Sequence, residues 1–281
     1  MHELPLVFFT VLAQGAAGLF FVLAALLFIN KDAKRKVVLD RLMIVAFIAM
    51  AIAGPIAMLH LGQPLRAFNV LFGLEHFSAL SLEIMAVGGF TGLIVIYLVL
   101  ALKNLLPALH KPVLFLAMVM AIVLVIAISH VYTLDTVPTW NSGWTLFQFA
   151  MTATILGLPA AATALRYQSD KLGVFQRNSD KALATLGLLA MGASLIGFAL
   201  YLFWMGQLTL PVNPFTAMEY HSRLLAARLV LLFLGMSLWV VSSLRGNNGT
   251  IKIAGWGTAL ILFSELAGRI FFYDLHISSG M

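Results

Sequence analysis

Apolar residues run along this chain in long unbroken stretches. They show neither the one-sided stripe of a soluble helix nor the alternation of a half-buried strand. Eight stretches, 5–30, 42–61, 81–102, 113–134, 144–166, 182–205, 224–244 and 251–273, each reach the length at which a helix crosses the bilayer, about 20 residues for ~30 Å of hydrocarbon. Lipid offers the backbone no hydrogen-bond partners, and the alternation of a barrel strand is missing, so each stretch reads as a helix. The prediction is an all-α integral membrane protein, a bundle of eight transmembrane helices forming one domain over residues 1–281. Pro55 and Pro159 fall inside spans, where proline kinks a helix. The small residues Gly15-Ala16-Ala17-Gly18 and Gly88-Gly89 predict close helix–helix approach. Met1-His2-Glu3 carries no basic charge and the apolar run after it exceeds a signal-peptide core, so the first stretch is expected to be a retained span.

Composition strengthens the membrane reading. Hydrophobic residues make up 62% of the 281 positions and charged ones 10%, too few to cover a soluble core. The formal charge of +6 is spread over short loops and forms no patch for nucleic acid. Its distribution sets orientation instead. Thirteen of the 17 basic residues, including every lysine, fall in the segments 31–41, 103–112, 166–181 and 245–252. The other side keeps only Arg66, Arg223, Arg228 and Arg269. Cytoplasmic loops collect lysine and arginine, so the lysine-bearing side is expected to be cytoplasmic and both termini periplasmic.

Every glutamate (Glu3, Glu75, Glu83, Glu219, Glu265) lies in the half away from the lysines. So do six of the seven histidines, His2, His60, His76, His130, His221 and His276, leaving His110 in the loop beside Lys111. Lysine topology does not explain that histidine distribution. His60 ends the second span and Glu83 opens the third, so antiparallel helices bring the two to similar depth. An imidazole and a partly buried carboxyl at the hydrocarbon edge suit proton-coupled oxidation of a quinol; the alternative is a His–Glu pair capping helix ends in interfacial water. His130 reads first as a histidine satisfied at a helix terminus and second as a site residue. Asp135, before Val137-Pro138, reads as a turn, and Trp140 and Trp144 as an interfacial belt. Glu265 and Arg269 stand four apart on one helical face and are expected to pair, with site or docking roles as the rival. His276 follows at the surface. Arg223 and Arg228 could face a partner or a quinone carbonyl.

Cysteine is absent, so the chain holds no Cys-ligated iron–sulfur cluster and no covalently attached haem. A haem stack crossing the membrane needs histidine pairs near both faces, and only His110 lies on the lysine side. His60 and His130 alone would suffice by residue type for one haem. No metal site is expected.

Several of these residues carry a resemblance. The stretches are His2-Glu3-Leu4-Pro5, Met58-Leu59-His60-Leu61-Gly62 with Pro64 and Arg66-Ala67-Phe68-Asn69, and Ser78-Ala79-Leu80-Ser81 with Glu83-Ile84. They continue in Asp135-Thr136-Val137-Pro138-Thr139-Trp140, Arg228-Leu229-Val230-Leu231-Leu232, and Glu265, Gly268-Arg269, Phe272-Tyr273 and Leu275-His276. With order and spacing kept nearly end to end, the chain resembles the membrane-anchor subunits of bacterial dimethyl sulfoxide reductases. The resemblance implies a haem-free, multi-pass subunit of the bacterial inner membrane that oxidises menaquinol near the periplasmic face. It implies an iron–sulfur partner subunit and a molybdopterin catalytic subunit on that side, reducing dimethyl sulfoxide or related S- and N-oxides. It places the quinol-site histidine and glutamate at His60 and Glu83. Arg66 is expected to tune charge there or to hold the iron–sulfur partner. Two other readings are an anchor of the polysulfide- or nitrite-reductase type and a small-anion transporter using the four arginines. Repeated halves and paired broken helices, which a transporter would show, are missing.

Overall fold

The computed structural model describes residues 3–59, 78–209, 213, 215, 222–246 and 250–276. Within them the protein forms α1 (Leu4–Ile29), α2 (Ala33–Met58), α3 (Ala79–Leu102), α4 (Pro107–His130), α5 (Gly143–Tyr167), α6 (Ser169–Leu172), α7 (Val174–Met205), α8 (Ser222–Leu244) and α9 (Ile251–Asp274). Eight of these, all but the four-residue α6, are long and apolar enough to cross a membrane. Because successive spans alternate in direction, α1 begins and α9 ends at one face, here called the terminal face. The turns that carry the lysines lie at the other.

The helices match the expected spans, with one systematic difference. Helices α2, α4 and α7 start at Ala33, Pro107 and Val174, well before the apolar stretches that open at 42, 113 and 182. Hydropathy marks only the part inside hydrocarbon, whereas lysine and arginine are good helix formers that let the helix continue into water. Asp32 starts α2 early by accepting hydrogen bonds from the Lys34 and Arg35 amides. Those two amides hold its carboxyl below the usual carboxylate range. Helical geometry runs through Pro55, Pro112 and Pro159.

The spans close into two rings of four. Each of α1 to α4 packs on the next and α4 returns to α1; α5, α7, α8 and α9 form the second ring in the same way. The α1–α5 contact is the main seam between rings, with α4–α5 and α1–α9 beside it. Gly18 and Gly157 meet backbone to backbone at that seam: a methyl on Gly18 would overlap the Ala153 carbonyl, and one on Gly157 would overlap Gly18. Without a hydrophobic force between helices in lipid, such close dispersion contact is what binds them. Of the other pair marked in the sequence, Gly88 faces open space and Gly89 meets only the tip of Met120. Large apolar side chains such as Phe115, Leu189, Ile196, Phe203 and Phe263 are exposed around the perimeter, as a lipid-facing surface requires.

At the lysine face the buried charges find partners. Arg166 of α5 donates to Asp180 of α7 and to the Ser242 carbonyl and hydroxyl of α8. Gln176 donates to the same Asp180 oxygen at 2.5 Å. In the first ring Asp40 accepts from Lys36 and from Tyr97, each at 2.7 Å. His110 does not lie in a loop: it sits in the first turn of α4 with 6% of its surface exposed, and its Nε2 donates to the Leu105 carbonyl at 2.8 Å. The pattern of apolar stretches hid it because α4 starts before its apolar part.

Candidate functional site

The terminal-face half of the bundle contains a second polar cluster, assembled from both rings. Ser78 caps α3, its hydroxyl accepting the Ser81 amide, and that start sets Glu83 one turn further in. Glu83 is 7% exposed, and its Oε1 has no hydrogen-bond partner among the described residues. Among the described residues, titratable groups from other helices stand close to it. Tyr132, just past the end of α4, and Tyr273, near the end of α9, both lie within electrostatic reach of Glu83 and of Arg269. The two phenol oxygens share a hydrogen bond of 2.5 Å.

Arg269 is deeper in the same cluster. Its Nη2 donates to Gln14 at 2.7 Å and to the Thr152 hydroxyl at 3.2 Å, and its guanidinium lies 3.6 Å from the Phe149 ring centre. Thr152 in turn donates to Glu265 Oε2 at 2.6 Å. The expected direct Glu265–Arg269 pair is therefore corrected: among the described residues the two charges do not touch, and the Thr152 hydroxyl stands between them. A helix-face count cannot see this, because the intervening hydroxyl comes from α5. Arg269 Nη1, Glu265 Oε1 and Gln14 Nε2 are left without partners among the described residues. Stacking on an aromatic face offsets part of the cost of burying the cation, by about 2 kcal/mol when desolvated.

Other sequence candidates fall outside this cluster. His60 and Arg66 lie outside the described residues. His130 is exposed and its Nδ1 meets the Thr133 hydroxyl at 3.1 Å, a helix-terminal arrangement. Asp135 is exposed in the turn and accepts from Asn141 at 2.8 Å. His276 is exposed, with its ring against Trp140 at 4.9 Å. Arg223 is exposed; Arg228 is half-buried, its guanidinium 5.1 Å from the Phe198 ring, and Gly268 makes room for it. Trp140 is not an interfacial belt residue: it is 5% exposed, stacks on Phe272 at 5.1 Å and donates to the Phe272 carbonyl. With Thr139, which donates to the Leu275 carbonyl, it ties the turn after α4 to the end of α9.

Sequence reading missed Gln14, Tyr132, Thr152 and Tyr273 as members of the cluster. The available signal was a lone amide in an otherwise apolar first span, and polar residues at matching depth in α5 and α9. Chemically, the cluster offers a buried carboxylate with one oxygen unpartnered among the described residues, beside paired phenols and a fixed cation. Such a set can take up a proton at the hydrocarbon edge without first losing a partner.

Comparison with known proteins identifies the family. The family model described as "DMSO reductase anchor subunit (DmsC)" matches residues 1–275. An anaerobic dimethyl sulfoxide reductase subunit of Escherichia coli, lettered C, is 33% identical over 291 residues, with all of the present sequence and 97% of the relative covered. A second Escherichia coli relative, the anaerobic dimethyl sulfoxide reductase subunit YnfH, is 32% identical over 287 residues, with the same coverage. The C-lettered subunit of the Haemophilus influenzae anaerobic dimethyl sulfoxide reductase is 28% identical over 283 residues, again with the whole sequence and 97% of the relative covered. The protein belongs to the dimethyl sulfoxide reductase anchor subunit family, multi-pass proteins of the bacterial inner membrane.

Proposed function

We propose that this protein anchors a dimethyl sulfoxide reductase complex and oxidises menaquinol at its terminal face, which is the periplasmic side. The observation that carries the proposal is the buried Glu83 carboxylate, with one oxygen unpartnered among Tyr132, Tyr273 and Arg269. It lies on the side of the bundle where six of the seven histidines gather. His60 accepts a hydrogen bond from one hydroxyl of the quinol and takes its proton; Glu83 takes the second on its free oxygen. Two electrons leave for an iron–sulfur partner and from there reach a molybdopterin subunit. There two electrons and two protons convert an S-oxide to the sulfide and water. Arg66 holds the iron–sulfur partner or balances charge at the quinol. Both quinol protons leave on the side where the oxide consumes two, so turnover moves no net charge across the membrane.

The family membership and the distribution of protonatable groups support this reading together. The test is quinol-dependent reduction in His60→Arg and Glu83→Lys complexes. Both should lose it while the complex still assembles and still reduces substrate from an artificial electron donor. Normal quinol turnover in both variants would overturn the assigned site.

A further inference from the structure

The lysine face has a cavity of about 260 Å³ that the quinol chemistry does not use. It lies inside the first ring, between the end of α1 and the starts of α2 and α4, with Tyr97 of α3 at one wall. Three lysines, Lys31, Lys36 and Lys111, line it against one lining carboxylate, Asp32. The nearby acids are already engaged. Asp32 turns back to its own helix, accepting the Lys34 and Arg35 amides at 2.7 and 3.1 Å. Asp40 takes Lys36 and Tyr97. Lys31 and Lys111 thus bring two positive charges to the cavity with no ion pair among the described residues.

Two further features point the same way. Helix α4 opens at Pro107 with no side-chain cap, so the positive end of its dipole is not met by a polar side chain. His110, in that first turn and more than nine-tenths buried, lines the cavity. Its Nε2 carries the proton donated to the Leu105 carbonyl, which leaves Nδ1 as an acceptor for a hydroxyl on whatever enters. Asn30 also lines the cavity, its amide engaged with the Asp32 backbone, and one wall is apolar: Leu27, Phe28, Ala33 and Leu114. Phe28 also reaches the exposed perimeter. A free inorganic ion has no use for that apolar wall, whereas a lipid has a phosphate for the lysines and acyl carbons for the wall. The lysine-bearing leaflet is also the one expected to be rich in anionic lipid.

We infer that this cavity binds the headgroup of an anionic phospholipid, its phosphate between Lys31 and Lys111, a headgroup hydroxyl donating to His110 Nδ1, and its glycerol and first acyl carbons against Leu27, Phe28 and Leu114. The site is separate from Glu83 and does not depend on the quinol assignment.

The test uses the full-length protein extracted with its partner subunits, delipidated and titrated with phosphatidylglycerol, phosphatidylcholine or inorganic phosphate. Bound lipid is counted by native mass spectrometry and stability is followed by thermal unfolding. The wild type should bind phosphatidylglycerol in preference to phosphatidylcholine. Lys31→Gln with Lys111→Gln should weaken phosphatidylglycerol about thirty-fold, the loss expected for two lysine charges at an anionic surface. Leu114→Trp, which fills the cavity and leaves the charges in place, should also displace it. Equal binding of the two lipids by the wild type, or unchanged binding in both variants, overturns the site. So does stabilisation by inorganic phosphate equal to that by phosphatidylglycerol, which would make it a simple anion pocket.

Discussion

The molecule buries polar side chains at both ends of its bundle and treats them in opposite ways. At the lysine face, Arg166 is bonded to Asp180 and Ser242, and Asp40 is held between Lys36 and Tyr97. Asp180 keeps one oxygen unpartnered, but the other takes two donors. At the terminal face, Glu83 has an oxygen with no partner among the described residues, and Glu265 and Arg269 are kept apart by the Thr152 hydroxyl. Gln14, Gln148 and Arg228 each add a nitrogen that is unpartnered among the described residues. Leaving one buried polar atom unmet costs about 1–3 kcal/mol. Trp239 Nε1 and Ser243 Oγ are also unpartnered toward the lysine end among the described residues, but neither carries charge; the two ends differ in how they treat ionisable groups. The terminal-face cluster therefore reads as a place where atoms are left open for chemistry, and the lysine-face pairs as pins that hold α5, α7 and α8 together.

Substitutions can separate pins from site. Asp180→Ala should have the largest effect on stability, because it leaves Arg166 buried without its counter-charge, a loss of about 3–5 kcal/mol. Thermal unfolding should show it, while quinol-dependent turnover per assembled complex stays near wild type. A selective loss of turnover would break the distinction. Glu83→Gln should do the reverse: turnover from quinol falls about a hundredfold, as for loss of a proton acceptor, and the unfolding temperature barely moves. Unfolding on that change would make Glu83 a structural group. Tyr273→Phe comes next. The ring keeps its contacts with Trp140 and Phe272 and loses only the bond to Tyr132. Its expected cost is about 1 kcal/mol of stability. In quinol turnover it should cost roughly fivefold.

The spans were legible in the sequence and the cluster mostly was not, for one physical reason. Crossing a membrane is a property of a single segment, so apolar length alone marks α1 or α4. A buried cluster depends on which helices touch. Glu83, Glu265 and Arg269 stood out because ionisable groups at that depth are costly. Thr152 and Gln14 did not, since threonine and glutamine are unremarkable in a span until a guanidinium is seen between them. Trp140 was misplaced for the same reason: a tryptophan near a helix end resembles a belt residue until Phe272 is found stacked on it. The ring arrangement was also out of reach, because the α1–α5 seam joins residues far apart in sequence through Gly18 and Gly157.

Asp32 supplies the smallest effect and a useful reference, a carboxylate fully satisfied in water. The Arg35 and Lys34 amides hold its carboxyl below the ordinary value of 3.8. A depressed value in the fold means the capping stabilisation is fully present above the unfolded value and is lost as pH falls through the folded one. Asparagine caps nearly as well but carries no charge to meet the helix dipole. Wild type should therefore unfold at slightly higher temperature than Asp32→Asn near neutral pH. The difference should shrink on acidification below about pH 4. It should also shrink with added salt, since an exposed charge is screened. Glu83 lies out of reach of that screening, so salt should leave the stability gap between wild type and Glu83→Gln unchanged. If salt moved both gaps alike, Glu83 would be in contact with water, and the contrast between an open buried acid and a satisfied exposed one would fail.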